Sequence, residues 1–187
     1  NILKDELFFY PLIYWQITSS SPKLSEITIK KIKDYFDSGG IILFDIFDFS
    51  KSYSSINRDS IEEIRKLFTK YGIENLQSIP KSHTLTKSYY LLNKFPGRWD
   101  NRTLLIQNNN LENKDGVSSA IIGLNDWAGA WAKDKNNYHL YQVVPGGERQ
   151  REISYRFGIN LLMYSLTGSY KSDQVHSKSI LDRLKRE

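Results

Sequence analysis

Carboxylates and a histidine near the ends of apolar segments are the residues of this sequence best suited to acid–base chemistry. Asp45 and Asp48 follow the apolar run 41–44, and His83 lies between a loop and a predicted helix. Open α/β sheets bind ligands at the carboxyl ends of their strands, so a carboxylate there could orient a base, hold a cation or accept sugar hydroxyls. His83 with Asp45 or Asp126 could catalyse a hydrolysis. The structural alternative is a loop-capping aspartate and a hydrogen-bonded histidine.

A second polar group follows the predicted strand that begins at residue 120. Asn125 and Asp126 precede Trp127 and Trp131, and two tryptophans four residues apart share one face of a helix. Aromatic rings beside paired polar groups resemble a sugar-binding site in composition. Packing of both tryptophans in the core is the alternative.

The turn at Pro145, Gly146 and Gly147 precedes the longest predicted helix. Free backbone N–H groups at a helix N-terminus favour an anion, and Arg149 could add positive charge. The alternative is that the charged side chains satisfy one another, since Glu152 and Arg156 stand four residues apart in the favourable order and Arg149 and Glu152 stand three apart.

Several classes of chemistry are disfavoured by what the sequence lacks. There is no cysteine, which excludes disulfides, thiolate metal sites and a cysteine nucleophile. None of the three histidines has a second one three to five residues further on, so no helical zinc pair exists. Neither a G-x-S-x-G elbow nor a G-x-G-x-x-G fingerprint occurs, which weakens the hydrolase and dinucleotide interpretations. We predict no metal and no cofactor.

The charge pattern and the hydropathy limit which kinds of partner the sequence favours. The net charge is +5, yet basic and acidic residues alternate along most of the chain, which indicates a solvated surface rather than a nucleic-acid site. No apolar run reaches the roughly 20 residues that span a bilayer. The chain begins at Asn1 directly before an apolar segment, which is typical of a fragment of a longer protein.

Apolar runs alternate with amphipathic segments, which predicts an α/β fold in a single domain, residues 1–187. Runs without alternation are typical of parallel strands buried on both faces, so we expect a mostly parallel sheet with helices on both faces. A loop from 169 to 176 followed by a short basic helix is expected in the tail, residues 169–187. The predicted strands are 7–15, 41–44, 76–79, 103–106, 120–122 and 140–144, and the predicted helices are 26–38, 60–71, 82–92 and 148–166.

Long segments of the sequence resemble a family of domains of unknown function, numbered 4159. The resemblance is specific and covers nearly the whole chain. It rests on residues 5–15, 39–45, 83–92, 95–98, 116–118, 125–132, 145–152 and 166–176.

The resemblance implies a three-layer fold similar to class I glutamine amidotransferases, flavodoxin-like in layout. It also implies that the chain is the C-terminal soluble part of a membrane-anchored bacterial protein, and that a further strand and helix precede Asn1. It carries no activity onto particular residues. Amidotransferases need a cysteine thiolate, and because this sequence has none, glutamine hydrolysis by that route is excluded.

The sequence therefore favours a non-catalytic domain that binds a small molecule or a protein partner in the bacterial cell envelope, on the periplasmic side. The membrane would be reached through segments absent from this chain. A hydrolase that uses His83 with Asp45 or Asp126 is the alternative, and we expect these three residues and Asn125 to share one cleft. The predicted ligand-binding residues are Asp45, Asp48, His83, Asn125, Asp126, Trp127, Gly146, Gly147 and Arg149.

Overall fold

A five-stranded sheet forms the centre of the fold. The computed structural model describes residues 1–18, 20–21, 24–47, 58–100, 104–108 and 117–184, with only the backbone described for 58–60 and 168–184. The strands are β1 (Leu12–Thr18), β2 (Ile41–Phe47), β3 (Leu76–Ser78), β4 (Leu105–Gln107) and β5 (Ala120–Gly123). Asp48 lies outside the described residues.

The sheet is mixed but mostly parallel, as predicted. Its spatial order is β1-β2-β5-β4-β3. Strands β1, β2 and β5 pair in parallel, and β4 runs antiparallel to both β5 and β3. The carboxyl ends of β2, β3 and β5 therefore meet at one edge of the sheet, which we call the carboxyl edge.

In the described part of the chain, four α-helices and two 3₁₀ turns accompany the sheet. Helix α1 begins after Ser25, whose side chain accepts a hydrogen bond from the Thr28 amide at 3.3 Å, and it ends before Gly39, where φ is +90°. The α-helices are α1 (Glu26–Asp37), α2 (Arg58–Thr69), α3 (Trp127–Trp131) and α4 (Gly147–Leu184), and the 3₁₀ turns are Leu7–Phe9 and Thr84–Lys87.

The two faces of the sheet carry separate clusters of buried apolar side chains. Successive residues of a strand point to opposite faces, so Ile42 and Phe44 belong to one cluster while Ile41 and Leu43 belong to the other. The first cluster includes side chains of α1 and α2. The second includes Trp127 of α3 and several apolar side chains of α4.

Three predicted elements differ from the structure. The strand predicted at 7–15 begins only at Leu12, because Pro11 cannot donate a backbone hydrogen bond and the residues before it form a 3₁₀ turn. The predicted helix 82–92 is a single 3₁₀ turn at Thr84–Lys87. The strand predicted at 140–144 is wrong: apart from the buried Val143 the segment is exposed, and it contributes only an isolated bridge between Val144 and Trp99.

Helix α4 extends further than the sequence pattern indicates. It runs for 38 residues to Leu184, so the loop predicted from 169 to 176 is wrong. Gly168 does not end the helix. No helix in the described part of the chain is long and apolar enough to cross a membrane.

Candidate functional site

The carboxylate of Asp45 lies fully buried near the carboxyl end of β2. Its Oδ1 accepts a hydrogen bond from the backbone amide of Asp126 at 3.1 Å. Its Oδ2 accepts two more, from the backbone amide of Trp127 at 2.7 Å and from the hydroxyl of Tyr14 at 2.6 Å. Asp45 therefore joins β1, β2 and the start of α3 inside the protein.

The remaining amides of the first turn of α3 are also bound by side chains. Tyr14 Oη accepts from the Ala128 amide at 3.4 Å, and Asp126 Oδ1 accepts from the Gly129 amide at 3.0 Å. The initial N–H groups of a helix have no partner within the helix and must find one elsewhere. Here Asp45, Tyr14 and Asp126 supply all of these partners, so the polar groups that we predicted at the carboxyl edge are engaged with one another.

The electrostatics of this cluster follow from its burial. Desolvation raises the pKa of Asp45 to about 6, although the hydrogen bonds from Tyr14 and the two amides favour the charged form. Desolvation, and after it the charge of Asp45, raises the pKa of Tyr14 well above its ordinary value. Tyr14 is consequently a permanent hydrogen-bond donor to Asp45 at physiological pH.

Asp126 connects this cluster to the surface through Arg98. Its backbone is left-handed, with φ of 51°, and its Oδ2 lies 3.5 Å from Nη1 of Arg98. The guanidinium of Arg98 lies over two aromatic rings, 4.7 Å from the centroid of Trp99 and 4.8 Å from that of Tyr141. Arg98 thus fills the space between Asp126 and the solvent.

Asn125 and Trp127 hold the backbone of the preceding loop rather than an open surface. Both are fully buried, and Asn125 Nδ2 and Trp127 Nε1 donate to the carbonyl of Phe95 at 2.9 and 3.2 Å. Gly97 approaches the same segment so closely that a Cβ would lie 2.2 Å from the carbonyl oxygen of Asn125. The tryptophan is therefore part of the core, in line with the structural alternative for this segment.

The start of α4 is exposed, but its backbone is partly satisfied from within. The amide of Gly146 donates to Oε1 of Gln150 at 2.8 Å, while the two N–H groups of Gln150 Nε2 lie among three backbone carbonyls within hydrogen-bond distance, including that of Gly97 at 2.9 Å. Gly147 and Arg149 are exposed. Of the charge pairs predicted in this helix, Glu152 with Arg156 is confirmed. The other observed pair is Glu148 with Arg151, which was not predicted.

His83 lies apart from the aspartates. Its Nδ1 accepts a hydrogen bond from the Leu85 amide at 3.3 Å, so Nε2 carries the proton and donates to Ser118 Oγ at 3.3 Å. Ser118 in turn donates to the carbonyl of Gln107 at 2.7 Å. Burial lowers the pKa of His83 to about 4, which keeps the ring neutral.

This position separates His83 from the other predicted site residues. Ser118 precedes β5 and Asn125 follows it, and the span from Ser118 to the end of β5 is ~16 Å at the rise of a strand. The structure therefore brings Asp45, Asn125 and Asp126 together and does not bring His83 to them. They meet in the interior, and the expected cleft shared by all four is absent.

An open cleft does lie at the carboxyl edge, beside this cluster. It has a volume of about 280 Å³ and begins where β3 ends. Phe95, whose carbonyl is held by Asn125 and Trp127, lines one wall. The charged lining groups are Lys81, Lys94 and Asp100. The uncharged lining residues are Ser78, Ile79, Pro80, Thr86, Leu92, Asn93 and Leu104.

The charges of the cleft are unequal. Lys94 Nζ lies 3.8 Å from Asp100 Oδ2, so these two groups compensate one another. Among the described lining residues, the exposed Lys81 adds one further positive charge. Within the described ranges, no three histidine or acidic side chains gather as a metal ligand set.

Sequence reasoning missed several residues that organise this region. Tyr14 holds α3, and Gln150 holds the start of α4. The sequence signal for Tyr14 was a tyrosine hydroxyl within a mostly apolar strand. No sequence pattern predicted that Lys81, Lys94 and Asp100 line one cleft, because their proximity depends on the loops that follow β3.

Comparison with known proteins places the whole region in a single family. No curated protein matches the chain. The family model described as Domain of unknown function (DUF4159) matches residues 1–166, which include the sheet, the Asp45 cluster and the cleft. The chain therefore belongs to the DUF4159 family.

Proposed function

We propose that this chain is a non-catalytic binding domain whose ligand occupies the cleft at the carboxyl edge. The observation that carries the proposal is the cleft itself, about 280 Å³ in volume and open to solvent beside buried polar residues. This volume lies just below the usual range for ligand pockets, which are mostly apolar with a few polar groups that orient the ligand. The ligand is accordingly a small molecule.

The lining of the cleft favours an anionic ligand with an apolar part. Lys94 and Asp100 compensate one another, whereas Lys81 is free to pair with a carboxylate or phosphate group. Ile79, Leu92 and Phe95 provide apolar walls for the rest of the molecule.

The state of the titratable groups supports a binding role over hydrolysis. Asp45 accepts hydrogen bonds from two backbone amides and from the Tyr14 hydroxyl, and Asp126 accepts from the Gly129 amide and pairs with Arg98. The proton of His83 is directed at Ser118. A general base needs a free lone pair near the proton that it removes. The hydrolase alternative, which requires His83 beside an aspartate, gains no support from this geometry.

The proposal also covers the fold type and the cellular location of the domain. The parallel arrangement of β1, β2 and β5, with helical side chains packed on both faces, supports a three-layer, amidotransferase-like arrangement. Membership of the DUF4159 family supports a place in a membrane-anchored bacterial protein of the cell envelope, with the domain on the periplasmic side. An experimental structure tests the first assignment, and fractionation of cells that express the complete protein tests the second.

Binding is tested with four small probes that share a benzene ring and differ in charge. Phenyl phosphate and benzoate are anionic, benzyl alcohol is neutral and benzamidine is cationic. We expect the two anions to shift the amide resonances of residues 78–81 and 92–95, with dissociation constants of about 1 mM or below. Benzyl alcohol and benzamidine should bind at least tenfold more weakly.

The charge of Lys81 is tested by Lys81→Met, with Lys87→Met as the matched control on an exposed lysine of the neighbouring 3₁₀ turn. The first substitution should weaken phenyl phosphate at least fivefold, and the second should leave it unchanged. Equal binding of benzamidine would overturn the anionic class, and a lack of binding by all four probes would overturn the cleft as a ligand site.

A further inference from the structure

A group of exposed aromatic and aliphatic side chains lies where the connection between α3 and α4 meets α4. Between 45% and 73% of each of Tyr138, Leu140, Tyr141 and Val144 is exposed. These four residues contribute little to the core, and they continue into Arg98 and Trp99, because Tyr141 stacks on Arg98 and Val144 bridges to Trp99. We call these six residues the aromatic surface. Exposed apolar groups of this kind mark interaction sites in soluble proteins.

Buried polar side chains hold the aromatic surface in place. Arg151 is 3% exposed, and its guanidinium donates to the carbonyl of Ala130 at 2.6 Å and to that of Tyr141 at 2.8 Å. Gln150, also 3% exposed, donates to the carbonyls of Arg98 and Val144 at 3.1 and 3.0 Å. A surface that is already ordered loses less conformational entropy when it binds a partner.

The charges that border the aromatic surface are predominantly positive. Lys133, Lys135 and Arg149 are exposed, and Arg98 is partly exposed. Of the nearby acidic groups, Asp126 pairs with Arg98 and Glu148 pairs with Arg151. Asp134 is held by the amides of Asn136 and Tyr138 and offsets only one of the three exposed positive charges. The bordering positive charge is therefore available to an acidic partner.

We propose that the aromatic surface docks an acidic segment of a protein partner, with apolar side chains against Tyr138 and Tyr141 and carboxylates facing Arg149 and the two lysines. Tyrosine, tryptophan and arginine are the residues that most often carry binding energy at protein interfaces. A symmetric contact with a second copy would oppose like charges. Leu140 and Val144 offer no ring on which a nucleic-acid base could stack, which favours protein over single-stranded RNA.

The experiment uses a short fluorescein-labelled peptide in which glutamates alternate with tryptophan and leucine, titrated with the full chain and followed by fluorescence anisotropy. The same peptide with glutamine in place of glutamate and an oligoadenylate RNA are the competing probes. We expect the acidic peptide to bind with a dissociation constant below about 1 mM and the glutamine peptide at least tenfold more weakly. Amide hydrogen exchange should slow at residues 138–147 when the acidic peptide is added.

Two substitutions at exposed positions locate the contact without disturbing the fold. Tyr138→Ser and Arg149→Glu should each weaken the acidic peptide about tenfold. The matched controls Tyr89→Ser and Lys70→Glu alter an exposed tyrosine and an exposed lysine elsewhere on the molecule and should leave binding unchanged.

Three outcomes would overturn the proposal. These are a lack of saturable binding, a loss of binding shared by the control variants, and tighter binding of the oligoadenylate that Arg149→Glu abolishes. The last result would assign the surface to nucleic acid. Thermal melts that match the unsubstituted chain exclude misfolding as the cause of any loss.

Discussion

Individual residues at the carboxyl edge have structural tasks that their types alone do not disclose. Aspartate at the end of a strand is compatible with catalysis, metal binding and capping. The choice among them depends on Tyr14 and on the amides of α3, which approach Asp45 from distant parts of the chain. The sequence identified Asp45, Asn125 and Asp126 as a group. It did not predict the hydrogen-bond partners that determine their role.

Gly97 is the residue whose replacement should most directly disturb this region. In Gly97→Ala, the new Cβ would lie 2.2 Å from the carbonyl oxygen of Asn125, and backbone cannot move aside as a side chain can. We expect a loss of about 2 kcal/mol or more in the free energy of unfolding, measured by urea denaturation. Gly158→Ala is the comparison, because its Cβ would meet the side chain of Trp131 at 3.2 Å within a helix that alanine favours. A smaller loss for Gly97→Ala than for Gly158→Ala would contradict this account.

At the scale of elements, α4 holds the backbone of the segment after β3 through the hydrogen bonds of a buried asparagine, in addition to apolar contacts. Asn160 is fully buried, accepts from the Tyr90 amide at 2.7 Å and donates to the carbonyls of Leu85 and Tyr90 at 2.9 and 2.8 Å. Asn160→Ala leaves these three backbone groups without their partner, and unsatisfied buried groups cost about 1–3 kcal/mol each. We expect a loss of about 3 kcal/mol in stability and faster amide exchange at residues 85–92.

The control for this prediction lies on the same helix. Thr167 is exposed, and its hydroxyl contacts only the Met163 carbonyl of its own helix among the described residues. Thr167→Ala should change stability by less than about 0.5 kcal/mol. Equal effects of the two substitutions would show that Asn160 does not connect the two elements.

Local patterns predicted the central elements well. Strand β2 and helix α1 follow from an apolar run and from a capped amphipathic segment, and both signals are contained within a few residues. The wrong predictions concern segments whose secondary structure is determined by tertiary contacts. The segment 140–144 has the composition of a strand, yet the amides of Leu140 and Val144 donate to the carbonyls of Ala132 and Arg98, and only Val143 of the segment is buried. Residues 82–92 leave the helical pattern where Asn160 binds the Tyr90 backbone.

At the scale of the whole molecule, two buried groups give opposite pH dependences to stability. The pKa of Asp45 is raised from 3.8 to about 6, so between these values the folded chain keeps a proton that the unfolded chain releases. This contribution is present at low pH and is lost as the pH rises through about 6. The pKa of His83 is lowered from 6.5 to about 4, so the unfolded chain binds the extra proton and stability rises with pH over nearly the same range.

Single substitutions should separate these two effects. We expect the unfolding free energy of the unsubstituted chain to vary little between pH 4 and pH 6, because the two slopes oppose one another. Asp45→Asn should leave a slope that rises by up to about 1.4 kcal/mol per pH unit, and His83→Asn, which keeps an acceptor for the Leu85 amide, should leave a falling one. Urea denaturation at several pH values measures both. A parallel profile for Asp45→Asn and the unsubstituted chain would mean that Asp45 does not titrate in this range.

The position of β1 has a consequence for how the chain behaves in concentrated solution. Within the described residues, β1 pairs only with β2, so its outer side presents unpaired backbone groups. The strand, Leu12–Thr18, contains no charged residue and no proline. Uncharged edge strands rich in aromatic and β-branched residues are templates for the addition of further strands from other molecules.

Gln16 is the exposed position of this strand. Gln16→Lys should slow the growth of thioflavin-positive aggregates, whereas Gln77→Lys in β3 should not. Self-association of this chain would then begin at its first strand.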